Sequence, residues 1–431
     1  MDYVRQQREI IVIGAGLGGL ASAALLARAG AKVRVLEGAQ APGGRARSRV
    51  IDGFTLNVGP HAFYRGGPAQ RVLQELGIAP EGEVIARTGA YALLDNCLYE
   101  LPQAPLSLLR SKLLGHAEKL QFLQAMAGLG ERKAKAVSGL TVNQWLERDV
   151  RSARTRALLG MMVRLSCYAY APDLLGADTA IRQLAHAVRH NVMYLDGGWQ
   201  RLVDALLAQL ERAGVPIEKG ARVQQIEAPE GRCAAVVMED GRRLPAAHVI
   251  AAVDPGGLSQ LLPGDPIAER WARACVPLRA ACVDLGVRGL PHPERRNVQA
   301  LDAPLYFANH SAYARLAPPG CQLLGLLHYL APGEDGRASE PVLRAFCERV
   351  QPGAWDRAVV KRFMPNLIVH TDLPGALRAR RSHPEITGLS WVSDVGSARH
   401  LLADAVFDSA RAAAAAALGQ PEQPSRADRA A

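Results

Sequence analysis

Glu9-Ile-Ile-Val-Ile13-Gly14-Ala15-Gly16-Leu17-Gly18-Gly19-Leu20, continued through Arg28, Gly30 and Lys32-Val-Arg-Val-Leu-Glu37, is the stretch that decides how the rest of the chain is read. The apolar run 10–13 has the composition of a strand buried on both faces. Gly14, Gly16 and Gly19 fit G-x-G-x-x-G, with Ala15, Leu17 and Gly18 filling the turn: a tight bend, a close backbone approach to a pyrophosphate, then close packing of helix on sheet. The helix expected over 18–29 begins where bare N–H groups and the helix dipole favour an anion. Gly30 suits the position just past its end. A second buried strand, 33–36, leads into Glu37 at about the twenty-residue spacing the fingerprint expects. A carboxylate there accepts from both ribose hydroxyls and repels a 2′-phosphate, which argues for FAD or NAD and against NADP. The competing readings are a glycine-rich turn without ligand and, because 10–27 carries no charge, a membrane span. The strand-like start and the internal glycines argue against the span.

The next stretch separates FAD from NAD. Ala41-Pro42-Gly43-Gly44-Arg45-Ala46-Arg47-Ser48 lets the backbone pass close to a cofactor and brings a guanidinium to phosphate oxygens. Together with Asn57-Val58-Gly59-Pro60-His61-Ala62-Phe63, and with Gly388-Leu389-Ser390-Trp391-Val392-Ser393-Asp394 followed by Leu401-Leu402-Ala403-Asp404-Ala405, it resembles the FAD-dependent amine oxidase and phytoene desaturase superfamily. The resemblance implies that the N-terminal fingerprint, with Gly43, Gly44 and Arg45, holds the ADP half of FAD. It places Gly59, Pro60 and His61 beneath the flavin ring and gives Val223 the backbone position facing adenine. Asp394 would bond the ribityl–pyrophosphate region, with Leu401 and Leu402 opening a helix aimed at the flavin's pyrimidine. The chain departs from the family pattern at one place, where Ser393-Asp394 stands for Gly-Asp.

At 431 residues the chain is too long for one core, which suggests two domains. With 49% hydrophobic and 21% charged residues the composition is that of an ordinary globular protein. The net charge of +10 comes mostly from arginine, and no basic run with interleaved aromatics points to nucleic acid. Seven cysteines without a C-x-x-C pair fit a reducing cytoplasm. The first strand begins within about ten residues of Met1 with no signal-peptide pattern. Eleven basic and four acidic residues between 101 and 164 leave this segment with an excess of seven positive charges. It reads as a solvated helical face or as a surface touching anionic lipid, which would make a cytoplasmic protein peripheral to the membrane.

The resulting expectation is an α/β fold: a Rossmann-like FAD-binding domain with a second α+β substrate domain (mixed sheet plus helical insert). The first would comprise 1–75, 196–258 and 385–418, and the second 76–195 and 259–384, with a polar tail from 419 to 431. A helix is expected over 68–76, a hairpin over 90–101 and helices beyond Pro105, one of them capped by Thr141. Strand runs at 233–238, 244 and 249–253 read as one hairpin turning at Asp240-Gly241. Further strands fall at 279–287, 305–308, 323–330 and 362–370. In His328-Tyr329 alternation sends one side chain inward, and Tyr329 joins His61 as a catalytic candidate. His186 and His190 are four apart on a helix but have no third ligand nearby and no H-E-x-x-H, which argues against zinc. The expected activity is hydride removal from an apolar small molecule by FAD, as CH–CH dehydrogenation; amine oxidation is the alternative, and a non-redox isomerase or a subunit using flavin structurally is the reading from another class.

Overall fold

Ile10–Ile13 (β1) has no exposed residue because it is the central strand of a five-stranded parallel sheet. The computed structural model describes residues 9–86, 88–102, 105–372 and 381–421. The sheet runs in the order β10 (Ile217–Lys219), β2 (Val33–Glu37), β1, β14 (His248–Ala251), β20 (Leu389–Trp391), every neighbouring pair parallel. Helix α1 (Leu17–Arg28) makes the crossover from β1 to β2 and ends at Ala29, with Gly30 at φ +79°. On one sheet face α1 packs against α9 (Gln200–Arg212) and α13 (Leu402–Ala417). Each branched aliphatic side chain fully buried between these layers contributes about 1.5–3 kcal/mol.

One sequence expectation fails here. The run 249–253 is not part of a hairpin: β14 lies beside β1 in the main sheet, while β11 (Val223–Glu227), β12 (Ala235–Met238) and β13 (Arg243–Pro245) form a separate antiparallel sheet turning at 239–242. The physical signal is in the residues. His248–Ala251 is a continuous apolar run, as a strand covered on both faces requires, whereas an exposed hairpin strand alternates.

The second sheet has seven strands, in the order β19 (Ala358–Asp372), β15 (Val276–Arg288), β18 (Cys321–Tyr329), β17 (Leu305–Asn309), β16 (Asn297–Ala300), β7 (Ala90–Leu94), β8 (Cys97–Glu100). It is antiparallel except where β16 meets β7. Alternation divides it cleanly. Ala281, Val283, Leu285, Phe307, Leu324 and Leu326 face helix α12 (Glu340–Val350), while Ala280, Cys282, Tyr306, Ala308, Leu327 and Tyr329 share the opposite face. Two short pieces link the sheets: the hairpin β3 (Ser48–Ile51) and β4 (Phe54–Asn57), and a ribbon of β5 (Phe63–Tyr64), β9 (Val192–Leu195) and β6 (Gly82–Val84). Helix α2 (Pro68–Glu75) follows β5 and precedes β6 in the chain.

The insert between β8 and β9 is helical: α3 (Pro105–Arg110), α4 (His116–Ala127), α5 (Glu131–Ala136), α6 (Val142–Asp149), α7 (Ala153–Cys167) and α8 (Ala177–His190). Its core gathers Trp145, Leu146, Leu158, Leu159, Ile181 and Leu184. Thr141 caps α6 in a reciprocal box with Gln144. Helices α10 (Pro255–Leu261) and α11 (Pro266–Ala274), each started by an aspartate cap and a proline, lead into β15. No helix among the described residues is long and apolar enough to cross a membrane. Of the polar tail expected from 419, the part beyond 421 lies outside the described residues.

Candidate functional site

The glycine turn behaves as a cradle rather than as filler. Gly14 has φ +96°, and a Cβ there would lie 2.7 Å from the Ala252 carbonyl oxygen. A Cβ on Gly19 would lie 1.9 Å from the Gly14 oxygen, and one on Gly18 would lie 2.6 Å from Val392 Cγ1, so both are needed for helix–sheet contact. Gly16 differs: a Cβ would meet nothing within 4 Å. It is the N-cap of α1, no side chain caps that end, and no acid occupies the first turn. The free N–H groups therefore face open space, which is what an incoming pyrophosphate needs. Gly43 and Gly44 close one side. The Gly43 N–H donates to the Ala15 oxygen at 2.7 Å, and Gly43 forms a bridge to Gly16.

Glu37 sits at the end of β2, where Oε2 accepts from the Ala15 N–H at 2.6 Å and Oε1 from the Ala39 N–H at 2.8 Å. A carboxylate has about four acceptor positions, so capacity for ribose hydroxyls remains. Val223 opens β11 close by, since the Ala221 N–H donates to the Glu37 oxygen at 2.8 Å.

At the other end of the cradle, Asp394 emerges just after β20 and is 2% exposed. Its Oδ2 accepts from Arg45 Nη2 at 2.9 Å and from the Thr371 N–H at 3.2 Å. Its Oδ1 is buried without a partner. A buried carboxylate oxygen left unpaired is costly, so the atom fits a hydroxyl of the cofactor's ribityl or ribose chain. Ser393 is not among the residues with positive φ, so serine stands in the family's glycine position without backbone strain. Leu401 is the N-cap of α13, and Leu402, the first helical residue, takes the left-handed value φ +56°. Such a conformation is costly for a leucine and is held here by packing against the insert core and the tyrosine cluster of the second sheet.

Between these ends run Gly59, Pro60 and His61. Gly59 has φ +82°, and a Cβ there would come 2.2 Å from Leu367 Cδ2, which fixes how closely β19 overlies the loop. Arg362 clamps the same contact by donating to the Asn57 oxygen and, through Nε, to Asp284 Oδ2 at 3.0 Å. Burial pushes Asp284 up to about 6 despite that arginine. His61 Nδ1 bonds the Gly59 oxygen at 2.9 Å, and the ring sits 4.8 Å from that of Trp199. Burial, with Arg45 and Arg362 adding repulsion, pushes His61 down to about 4, so it is neutral near pH 7.

Beyond the loop stands a set of aromatic residues of which the sequence singled out only Tyr329. The Tyr194 and Tyr306 hydroxyls share a bond of 2.9 Å, with His310 Nε2 3.4 Å from Tyr306. Tyr168, just past α7, is 6.3 Å by ring centroid from both Tyr306 and Tyr329. Leu367 and Leu402 pack on this cluster, which ties it to both the Gly59 loop and the start of α13. Tyr329 is buried within it, while His328 points away and bonds Ser339 Oγ at 2.9 Å. Alternation along 305–308 could have added Tyr306 to Tyr329; nothing local marks Tyr168 or Tyr194.

His186 and His190 lie on one face of α8 with rings 5.0 Å apart. His186 Nε2 is 3.7 Å from Oδ2 of Asp404, a residue of the first turn of α13 whose Oδ1 accepts from the Ala69 N–H at 2.9 Å. No group of three potential metal ligands occurs among the described residues.

A family model described as flavin containing amine oxidoreductase matches residues 17–337. Hydroxyneurosporene desaturase of Cereibacter sphaeroides is 28% identical over 299 residues, covering 58% of this chain and 57% of that protein. The 15-cis-phytoene desaturase of Narcissus pseudonarcissus is 27% identical over 279 residues, covering 59% and 49%. The matches thus span about half to three fifths of the length of these curated relatives. Wild-type putrescine oxidase bound to putrescine shares the fold, with a TM-score of 0.77 and 17% identity over 96% of this chain and 99% of that one.

Proposed function

The chain belongs to the flavin-containing amine oxidoreductases, and from that premise we propose that it removes hydride from an apolar small molecule in a phytoene-desaturase-like CH–CH dehydrogenation. FAD, when bound, supplies the redox chemistry. The protein's own part is to hold the cofactor at the glycine turn, Glu37, Arg45 and Asp394, and to keep a C–H bond in a dry space over it. The observation that carries the reading is the apolar and aromatic wall of Ala280, Cys282, Tyr306, Ala308, Leu327 and Tyr329 beside the loop of Gly59. Asp284, on the same strand face, is already held by Arg362 and is not free to receive an ammonium group. Neutral His61 serves as a hydrogen-bonding wall rather than as a cation.

We assign segments 1–75, 196–258 and 385–418 to the cofactor domain and 76–195 and 259–384 to the substrate domain; the strand memberships of the two large sheets support this division. The membrane reading of 101–164 gains support from Leu109 and Leu120, 64% and 59% exposed beside Arg110 and Lys112. We propose that a cytoplasmic protein docks there on anionic lipid while apolar substrate enters. Liposome sedimentation should favour anionic over neutral lipid and weaken with salt; equal binding to both leaves a solvated face.

The activity is tested by mixing the purified flavoprotein anaerobically with polyene hydrocarbons and with primary amines while following flavin absorbance. Bleaching by a polyene supports dehydrogenation. Bleaching by amines alone moves the protein to amine oxidation, and substrate conversion without bleaching moves it to isomerisation.

A further inference from the structure

Two donors in the tyrosine cluster have nothing to donate to. The Tyr329 hydroxyl is buried and has no hydrogen-bond partner, and neither has Nε of Arg164, a residue 7% exposed on α7. Arg164 spends one Nη2 on the Ala300 oxygen at 2.5 Å. Its guanidinium carbon lies 5.8 Å from the centre of the Tyr329 ring, so the arginine with one unpaired donor lies over the face of the tyrosine that carries the other. No carboxylate pairs with Arg164 among the described residues; Asp302, which is exposed, acts on it only through space. A buried guanidinium without a counter-charge is expensive, because burial removes its hydration while one carbonyl and a ring face return only part of it. Buried polar groups in folded proteins are normally satisfied, and two orphaned donors on neighbouring side chains are the mark of a missing acceptor.

A cavity adjoins the arginine. Arg164 lines a cavity of about 280 Å³ between α6, α7, the segment 169–175 and the turn 301–304. Leu146, Met161, Leu175 and Leu301 give it an apolar side, while Asn143, Glu147, Arg156 and Asp302 line it as well. A hydrocarbon body fits that apolar side, and of the two arginines lining the cavity Arg164 is the buried one and Arg156 the half-exposed one.

We propose that the substrate is an apolar acid, whose carboxylate is received by Arg164 Nε and the Tyr329 hydroxyl while its hydrocarbon body lies along the apolar side. This rests on the reading above that the chamber takes an apolar molecule, and it adds the polar end. An ammonium group placed beside the same unpaired guanidinium would meet like charge.

Calorimetry on the purified flavoprotein can test this with three probes that differ only at one end: all-trans-retinoic acid, its methyl ester and retinol. Wild type should bind the acid at least tenfold more tightly than either neutral probe. Arg164→Met should weaken the acid roughly thirtyfold or more, as loss of one partner in a buried charge pair does, and leave the neutral probes unchanged. Tyr329→Phe guards against a folding artefact. Its hydroxyl bonds nothing, so the melting temperature should stay at or above wild type, while the preference for the acid narrows about tenfold. Absence of an acid preference in wild type, including no binding of any probe, overturns the proposal, as does a preference that survives both substitutions. Calorimetry reads binding whether or not the flavin is reduced. Failure of the dehydrogenation reading therefore shows as acid binding without bleaching, and failure of this one as bleaching without acid preference.

Discussion

The glycine turn proposed to hold the cofactor and the tyrosine cluster proposed to receive substrate are built in opposite ways. The cradle is made of backbone: Gly14, Gly16, Gly19, Gly43 and Gly44 remove side chains so that N–H groups and a helix end reach the surface. The chamber is made of side chains, with Arg164 and Tyr168 from the insert, Tyr194 from the linking ribbon and Tyr306 and Tyr329 from the second sheet. A backbone site tolerates almost no addition of volume but is indifferent to most identities around it. A side-chain site tolerates changes of volume poorly too, yet its specificity rests on single atoms. Substitutions should therefore separate stability from binding differently in the two.

The largest effect belongs to Gly19→Ala. A methyl 1.9 Å from the Gly14 oxygen forces α1 off the sheet, at a cost of about 3 kcal/mol seen as a lowered urea midpoint, with flavin lost as well. Gly16→Ala is the control that sharpens the contrast. Its φ of −73° and open surroundings suit alanine, so unfolding free energy should stay within about 1 kcal/mol of wild type. Flavin content should still fall, because the methyl fills the approach to the pyrophosphate. A Gly16→Ala protein that purifies fully loaded would break the cradle account.

Next comes Asp394→Asn, which keeps the shape but removes the charge and the unpaired carboxylate oxygen. FAD affinity should fall about tenfold, with the melting temperature of the apo-protein near wild type. Unchanged affinity would leave Asp394 as a partner for Arg45 only.

Where α13 meets α8, pH discriminates. Burial pushes Asp404 up to about 7 and His186 down to about 4. A raised carboxyl binds its proton more tightly folded than unfolded, so its contribution is fully present below about pH 4 and is lost as pH rises to 7. A depressed histidine does the reverse, losing stability as pH falls from 6.5 towards 4. The two slopes oppose one another in wild type. Asp404→Asn should leave stability rising with pH across 4–6.5, and His186→Gln should leave it falling across 4–7, both read from urea midpoints. Parallel profiles for the two variants would disprove the pairing.

The smallest effect separates two phenols of one chamber. Tyr306→Phe strands the Tyr194 hydroxyl and should cost about 1 kcal/mol, where Tyr329→Phe costs nothing. Equal losses would mean that the Tyr329 hydroxyl has a partner after all.

The same contrast explains what could be read from residues alone. The strand–turn–helix–strand unit at 10–37 was legible because every part of its logic is local: apolar run, glycine spacing, terminal acid. The second sheet was legible strand by strand, and alternation showed that His328 and Tyr329 face opposite ways without saying which of them points inward. The strand 248–251 was misassigned because a hairpin precedes it and a buried run carries no period of its own. Arg164 could be seen only as one basic residue of a charged insert. It is buried against the end of β16, where it donates to the Ala300 oxygen, more than a hundred residues away. Leu402 gave no hint of its left-handed backbone, since leucine has no local reason to adopt it and tertiary packing imposes it.

One feature of the main sheet bears on how the protein is made. Strand β20, Asp394 and α13 all follow every other part of the cradle in the chain, yet β20 completes the sheet beside β14, and α13 covers α1 and α2. On the ribosome, at roughly 5–20 residues per second, the glycine turn therefore emerges many seconds before the carboxylate and helix that close over the far end of its ligand. The nascent chain must keep the apolar faces of β14 and α1 waiting uncovered through that interval. Cofactor capture therefore waits on this late segment, and a chain halted before 389 should carry the complete phosphate-binding fingerprint while retaining no flavin.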